Sequence, residues 1–272
     1  MNSSIPKRII QTGKSHHLQL VERAVVSNIR HLHPDFEYLY FDDDQVHQFV
    51  REEFPQHVET FEGFPKVIQR IDFFRYLAIY RMGGFYLDLD VLLARSLHDL
   101  LTRQAVFPFE ELTIQPFLRE RFGMDWEIGN YAFGAVPSHP FFAALITNCV
   151  KAQAQPEWVW PMLQRIPSWS RSNFEVLDST GPGLVSRTWA ENPQAAAQVS
   201  LLFPEDVCDP RTWHQFGDYG VHLQSGGWRP RRSFWRSKLA LWWEQQARRR
   251  ALIMGQRLGK QRGVATALRS AS

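Results

Sequence analysis

Hydrophobic and polar positions follow two alternating periods along the first 50 residues of the chain. Residues 5–13 are predicted to form a strand that ends in a turn, and residues 36–41 a second, aromatic-rich strand. Between them, residues 18–32 place apolar side chains at helical spacing, and the aspartates at 42–44 are suited to cap a helix that runs through Val50. The order strand, helix, strand, helix predicts a parallel, Rossmann-like sheet, which binds ligands beyond the carboxyl ends of its strands.

The stretch from residue 66 to residue 91 changes from a helical period to a strand period. An apolar stripe predicts a helix, and the double glycine at 83–84 ends it because glycine tolerates the left-handed conformation. Over residues 85–91, apolar side chains alternate with polar ones that include Asp88 and Asp90. The pattern therefore predicts one strand with two carboxylates on the same face, about 7 Å apart. The residues of the helical stripe are Val67, Ile71, Phe74, Ala78 and Met82.

Two carboxylates this close repel each other and need a counter-ion. A hard divalent cation, Mn²⁺ or Mg²⁺, meets that need and can also bridge a diphosphate. The alternative interpretation is a strand end that reaches water with both acids solvated, since a bare Asp-X-Asp tripeptide is common. The run 42–44 satisfies the same pattern. Asp88 and Asp90 are favoured because a helix, a double glycine and an alternating strand surround them.

The composition bounds the class of protein. With 272 residues, 44% of them hydrophobic and 22% charged, the chain is not a disordered, collagenous or coiled-coil protein, and its length suits one large α/β domain. Its two cysteines, Cys149 and Cys208, are too few for a disulfide framework. The pattern shows no secretory signal and no apolar run of membrane-spanning length. We therefore expect a soluble, cytoplasmic protein.

The net charge of +3 conceals an acidic body and a basic tail. Residues 229–272 contain twelve Arg or Lys and one acid, Glu244, whereas the remainder holds 19 bases and 27 acids. A nucleic-acid-binding fold would carry its bases on the folded face, so no nucleic-acid partner is expected. Basic residues mixed with Trp and Leu suit a helix lying on an anionic membrane, here through residues 229–262. A solvated, partly disordered tail is the alternative.

Beside these patterns, the chain resembles glycosyltransferase family 32. Asp72-Phe-Phe-Arg75, followed by residues 80–91, is similar to the sugar-nucleotide-binding region of that family. The family includes fungal Golgi mannosyltransferases and bacterial capsule and lipopolysaccharide sugar transferases, and the glucosylating clostridial toxins share its core. Further segments are similar in the family's order: 5–11, 129–141, 179–183 and 219–228. The run between His222 and Trp228 is one residue longer here than in the usual pattern.

The resemblance implies a GT-A type, Rossmann-like nucleotide-binding fold. Such a fold has a mixed central sheet with helices on both faces, followed here by a basic C-terminal helical tail. The expected catalytic domain covers residues 1–228, with a donor half at about 1–125 and an acceptor half at about 126–228. Residues 229–272 form the tail.

All ten tryptophans lie at or after position 126. This distribution favours stacking of tryptophan rings on a sugar in the acceptor half. The alternative is that the indole rings simply fill the core.

Site residues follow from the resemblance by position. It implies that Asp88 touches the ribose and donor sugar, that Asp90 ligates the metal, and that Asp72 and Arg75 hold the donor. Arg75 would offset charge as the diphosphate leaves. An i,i+3 helix salt bridge is the alternative for that pair. The implied metal ligands are Asp90, Asp88 and His222. The implied catalytic residues are Asp88, Asp90 and Arg75. The implied donor-binding residues are Asp72, Arg75, Ile10, Gln11, Asp88, Asn130, His222 and Trp228. His222 could equally be a structural histidine.

The expected activity is metal-dependent transfer of a hexosyl unit, with retention of configuration, from a UDP- or GDP-sugar. The expected acceptor is a glycan or a lipid-linked oligosaccharide in surface polysaccharide synthesis. The alternatives are a non-catalytic carbohydrate- or nucleotide-binding protein on the same fold and a toxin-like transferase that modifies a protein. No nucleophile can be assigned from the sequence. The acids in the relevant half of the chain are Glu110, Glu111, Asp125 and Glu127.

Overall fold

The computed structural model describes residues 4–113, 116–164 and 166–224, together with residues 246, 249 and 253. Trp228 and all of the basic tail except residues 246, 249 and 253 therefore lie outside the described residues, and the predictions made for Trp228 and the tail stay predictions. Within the described part of the chain, no helix is both long and apolar enough to cross a membrane.

The strands of the described residues form one large mixed sheet and one small ribbon. The sheet order is β2-β1-β3-β7-β5-β6, with β8 added on β5, and β4 pairs antiparallel with β9 to form the ribbon. Strands β2, β1 and β3 run parallel, whereas β7 is antiparallel to β3 and β5. The strands are β1 (Arg8–Thr12), β2 (Glu37–Phe41), β3 (Gly84–Leu87), β4 (Val91–Leu93), β5 (Ala105–Leu112), β6 (Trp126–Ile128), β7 (Ala132–Ala135), β8 (Val199–Leu202) and β9 (Gly220–His222).

Helices cover both faces of this sheet, as the sequence predicted, but unequally. One face packs against most of the helices and carries the larger core, while α1 and the β4–β9 ribbon cover the other. Neighbouring residues of one strand, such as Ile9 and Ile10, face opposite cores. The helices are α1 (Leu20–Leu32), α2 (Asp43–Glu53), α3 (Val58–Gly63), α4 (Val67–Met82), α5 (Pro116–Phe122), α6 (Pro140–Ala154), α7 (Trp160–Leu163), α8 (Ser168–Ser179), α9 (Pro182–Glu191) and α10 (Pro193–Ala196).

The first Asp-X-Asp run caps helix α2. The Asp42 carboxylate accepts a hydrogen bond from the Gln45 backbone N–H at 2.9 Å, and the Gln45 side chain accepts one from the Asp42 backbone N–H at 3.0 Å. This reciprocal pair satisfies two backbone donors at the start of the helix. The predicted cap is confirmed, and Asp42 of this run stabilises the start of α2.

Helix α4 is correctly predicted in extent, but the prediction of a single apolar stripe is wrong. Val67 is 59% exposed, and the middle of the helix is buried on nearly all sides because α4 lies between the sheet and α6. Its buried residues include Gln69, Asp72 and Arg75, which an apolar period cannot reveal. The helix ends at Gly83, whose φ of 65° is the left-handed conformation expected of glycine at that position.

The buried imidazole of His139 should make the fold less stable in mild acid. Its ring is buried at the start of α6, where Nδ1 accepts a hydrogen bond from the Phe141 backbone N–H at 3.2 Å. Burial lowers the pKa of His139 to about 4. The unfolded chain takes up this proton near pH 6.5, so the stabilisation is complete above that pH. As the pH falls from about 6.5 to 4, up to about 3 kcal/mol should be lost.

The measurement is urea unfolding across this pH range for the wild type and His139→Asn. Asparagine also caps helices but does not titrate, so the variant should lack this part of the pH dependence. The solvent-exposed His31→Asn is the matched control and should follow the wild type. Parallel pH profiles for the wild type and His139→Asn would contradict the expectation.

Candidate active site

The two aspartates singled out by the sequence lie in a turn between two strands. Strand β3 ends at Leu87, and the Val91 backbone N–H donates to the Asp88 carbonyl at 3.0 Å, which closes a tight turn over residues 88–91. The Asp88 N–H donates to the Tyr131 carbonyl at 2.8 Å. The prediction of one continuous strand is therefore wrong beyond Leu87. The turn directs both carboxylates towards one point, whereas a continuous strand would space them about 7 Å apart.

The turn meets His222 across the ribbon. Strand β9 pairs with β4 in a register that sets His222 opposite Val91. One ligand atom from each of Asp88, Asp90 and His222 lies within 4.8 Å of the others, and His222 Nε2 is 3.2 Å from Asp90 Oδ1. The structure thus brings together the three residues predicted as metal ligands, although they come from distant parts of the chain. We call this group the carboxylate–histidine cluster.

The His222 ring is held in place by Tyr131. The two rings stack with centroids 4.5 Å apart and planes inclined by 17°. Burial favours the neutral imidazole, but the hydrogen bond to Asp90 and the nearby carboxylate of Asp88 outweigh it and raise the pKa of His222. An imidazole in this position completes a donor set of two carboxylates and one nitrogen.

Arg75 places a buried positive charge directly behind the turn. Its guanidinium lies 3.1 Å from Asp72 Oδ1 and 3.3 Å from Asp88 Oδ1, and it donates to the Asn130 carbonyl at 2.7 Å. The same group lies over the Tyr86 ring, 4.6 Å from its centroid. Burial opposes the charge, yet the carboxylates of Asp88 and Asp72 keep the pKa of Arg75 above its ordinary value. Arg75 is the charge that links α4 to the turn.

Asp72 is enclosed by donors. Its carboxylate accepts hydrogen bonds from the Thr180 hydroxyl at 2.8 Å and from the Asn130 side chain at 3.1 Å, in addition to the ion pair with Arg75. Burial raises the pKa of Asp72 to about 6, although the Arg75 guanidinium opposes the shift. The helix ion pair weighed as an alternative is present, and it belongs to the same network as Asp88. Asp72 therefore positions its neighbours from beneath the site.

The other predicted donor contacts have different surroundings. The Gln11 amide donates to the carbonyls of Leu87 and Asp88, both at 3.2 Å, and its oxygen accepts from the Tyr38 hydroxyl at 2.8 Å. Gln11 thus supports the turn from below. The Ile10 side chain is fully buried in the larger core, so no ligand can reach it and its predicted role as a donor contact is wrong.

Two further hydroxyls that the sequence analysis did not single out complete the support of Asp88. The Tyr86 hydroxyl donates to Asp88 Oδ1 at 2.9 Å and lies 2.9 Å from the Thr12 hydroxyl. Burial raises the pKa of Asp88, and the guanidinium of Arg75 opposes that shift. Because Tyr86 alternates with the apolar residues of β3, its position on the polar face was readable from the sequence. Its partner Thr12, on the neighbouring strand, was not.

The four acids left open as nucleophiles occupy three environments. Glu127 is buried and accepts a hydrogen bond from the Thr113 hydroxyl, and burial raises its pKa well above the ordinary value. Asp125 pairs with Arg119 at 2.7 Å. Glu110 and Glu111 both face His214, at 3.1 and 3.8 Å.

The architecture and this site define the class of protein. A mixed Rossmann-like sheet with an Asp-X-Asp turn at the carboxyl end of a parallel strand is consistent with the GT-A fold of glycosyltransferases. Residues 21–107 match the family model described as "Glycosyltransferase sugar-binding region containing DXD motif". The chain belongs to glycosyltransferase family 32.

Relatives with assigned names support this placement. The chain is 30% identical to mannosyl phosphorylinositol ceramide synthase SUR1 of Saccharomyces cerevisiae, over 69% of this chain and 42% of that protein. It is also 30% identical to inositol phosphoceramide mannosyltransferase 2 of Schizosaccharomyces pombe, over 68% of this chain and 46% of that protein. The chain therefore spans less than half the length of these relatives.

Among solved structures, the UDP-bound glycosyltransferase domain from the YGT toxin has a similar fold. The TM-score is 0.50 at 8% sequence identity, and the alignment covers 74% of this chain and 80% of that one. At this identity the similarity concerns the fold alone.

Proposed function

We propose that this protein is a metal-dependent, retaining glycosyltransferase that moves a hexosyl unit from a UDP- or GDP-sugar to a glycan or a lipid-linked oligosaccharide. The observation that carries the proposal is the convergence of Asp88, Asp90 and His222 within 4.8 Å, with the buried charge of Arg75 next to Asp88. A protein that only needed a folded core would gain nothing from this arrangement, because each buried charge has a desolvation cost.

The cluster suits a divalent cation such as Mn²⁺ or Mg²⁺. Two carboxylates supply hard oxygen ligands, and the imidazole of His222 supplies a nitrogen that first-row divalent metals accept. A metal bound by Asp88, Asp90 and His222 would act as a Lewis acid on the diphosphate of the donor. The raised pKa of His222 is compatible with this role, because a metal ion that binds the imidazole displaces its proton.

The chain's own residues preorganise this site. Tyr86 and Arg75 fix Asp88 from the protein side, Gln11 holds the backbone of the turn, and Tyr131 fixes the plane of His222. Groups fixed before the reaction need not reorganise as negative charge develops on the departing diphosphate. Arg75 would stabilise that negative charge while it holds Asp88 in position. Because Arg75 is buried, its electrostatic interactions are weakly screened by solvent.

The donor half and the acceptor half of the predicted domain each contribute to the site. The turn and Arg75 come from residues 1–125, and Asn130 and His222 come from residues 126–228. The names of the relatives favour a mannosyl donor and a lipid-borne acceptor, which makes GDP-mannose the first donor to test. A role in surface polysaccharide synthesis and contact of the tail with an anionic membrane stay predictions.

Thermal unfolding with nucleotides tests the proposal. The wild type should be stabilised by either GDP or UDP, and only in the presence of Mn²⁺ or Mg²⁺, because the diphosphate and the cluster bind the metal together. The corresponding nucleotide sugar should then be turned over when acceptor or water is available. No stabilisation by any nucleotide would contradict the proposal, and metal-dependent binding without turnover would favour the non-catalytic binding protein.

A further inference from the structure

A second histidine–carboxylate pair lies beside the carboxylate–histidine cluster. Glu110, near the end of β5, lies 3.1 Å from His214 Nδ1 through its Oε1 atom. His214 is connected to the cluster through the backbone, because its carbonyl accepts a hydrogen bond from the His222 N–H at 2.9 Å. The His214 and His222 rings lie edge to face, with centroids 6.5 Å apart. The pair thus extends the site beyond His222.

The other oxygen of Glu110 lies against the segment that holds Asn130. A Cβ atom added at Gly129 would come within 2.5 Å of Glu110 Oε2 and 2.6 Å of the Tyr131 ring. Glycine at this position therefore allows the carboxylate to approach the backbone between β6 and β7. Asn130 and Tyr131 follow directly, and they contact Asp72 and His222 respectively. Glu110 therefore lies next to the segment that carries Asn130 and Tyr131, and next to His214.

Backbone strain at His214 accompanies this placement. Its φ of 59° lies in the left-handed region, which costs a non-glycine residue about 1 kcal/mol or more. The surrounding contacts hold the conformation: the His214 N–H donates to the Glu110 carbonyl at 3.2 Å, and the imidazole pairs with the Glu110 carboxylate. The backbone N–H and the imidazole of His214 therefore both hold Glu110 in place. About 16% of the Glu110 side chain is accessible to solvent, while its Oε2 atom is buried, so a ligand would approach the side of the carboxylate that carries Oε1.

We infer that Glu110, oriented by His214, is a specificity-determining residue that accepts hydrogen bonds from hydroxyl groups of the sugar being transferred. The inference rests on the proposed function, because the cluster must bind the diphosphate for the attached sugar to lie near Glu110. A carboxylate oriented by a neighbouring histidine is well suited to accept bonds from sugar hydroxyls, which are donors of fixed spacing. The nucleotide itself would not contact Glu110.

The test compares binding of the nucleotide with binding of the nucleotide sugar. Titration calorimetry with GDP, GDP-mannose, UDP and UDP-glucose, each with Mn²⁺, is carried out on the wild type, Glu110→Gln and His214→Ala. Glu110→Gln should bind the preferred nucleotide like the wild type but lose about tenfold or more in affinity for its sugar, the loss expected when a charge-assisted hydrogen bond disappears. His214→Ala should show the same selective loss to a smaller degree.

Glu53→Gln is the matched control, because Glu53 pairs with Arg81 at 2.6 Å on the surface of α2 and α4. It should bind nucleotide and nucleotide sugar like the wild type. Equal affinities of Glu110→Gln and the wild type for the nucleotide sugar would overturn the inference while leaving the proposed function intact. A wild type that binds no nucleotide would instead overturn the proposed function. An equal loss for nucleotide and sugar would assign Glu110 to the diphosphate site and also overturn the inference.

Discussion

Replacing Asp90 with asparagine should abolish metal-dependent nucleotide binding and reduce sugar transfer at least a hundredfold. Asp90 is the carboxylate that faces His222 at 3.2 Å, and the amide of asparagine is a far weaker ligand for a hard cation than a carboxylate. Loss of a metal ligand should exceed the 10- to 100-fold effect of losing a residue that only supports a ligand. The measurements are Mn²⁺ titration in the presence of the nucleotide and initial rates of donor turnover.

The chain provides its own control for this change. Asp44 belongs to the other Asp-X-Asp run and is exposed at the start of α2. Asp44→Asn makes the same chemical change in the same tripeptide pattern, so it should leave both metal affinity and turnover unchanged. If Asp90→Asn retained wild-type binding of Mn²⁺ and nucleotide, the cluster would not be the metal site.

Replacing Arg75 with methionine should destabilise the fold by about 3–5 kcal/mol. The change keeps most of the side-chain volume but removes the guanidinium that pairs with both Asp72 and Asp88, so the two carboxylates lose their shared counter-charge. The stacking on Tyr86 is lost as well. The free energy of unfolding, measured in urea by tryptophan fluorescence, quantifies the effect.

Two further variants separate the buried charge from other effects. Arg81→Met makes the same substitution on the same helix, but the Arg81–Glu53 pair is largely exposed, so less than about 1 kcal/mol should be lost. Adding Asp72→Asn to Arg75→Met removes one of the two carboxylates that have lost their counter-charge and should recover part of the stability. A cost for Arg75→Met no larger than that for Arg81→Met would show that the buried charges contribute little.

Local features of the fold were readable from the sequence because neighbouring residues determine them. The cap at Asp42, the extent of α4 and its end at Gly83 depend on hydrogen bonds and dihedral angles within a few residues. The position of Asp88 at the end of a strand was readable for the same reason, because a helix, a double glycine and a short alternating segment precede it. These features predicted a Rossmann-like sheet, whereas the GT-A type and the roles of the site residues were implied by the resemblance to glycosyltransferase family 32.

The shape of the site depends on contacts between distant segments. Apolar alternation keeps its phase from Phe85 through Leu93, so the sequence suggested one strand, yet pairing of β4 with β9 turns the chain away from the sheet after Leu87. The same pairing delivers His222 to Asp90. No local pattern contains the partner strand, and so the convergence of the ligands could not be read from spacing.

The sequence by itself determined which residues carry charge, which strand precedes the aspartates, where α2 begins and where α4 ends. Only the tertiary structure decided what those charges do. It buries Asp72 and Arg75 in one network with Asp88, whereas a helix pattern cannot distinguish a buried ion pair from a surface one. It also sets Glu110 beside His214 next to the cluster. The physical reason is that the free energy of a charge depends on its surroundings, and chain segments far apart in sequence supply those surroundings.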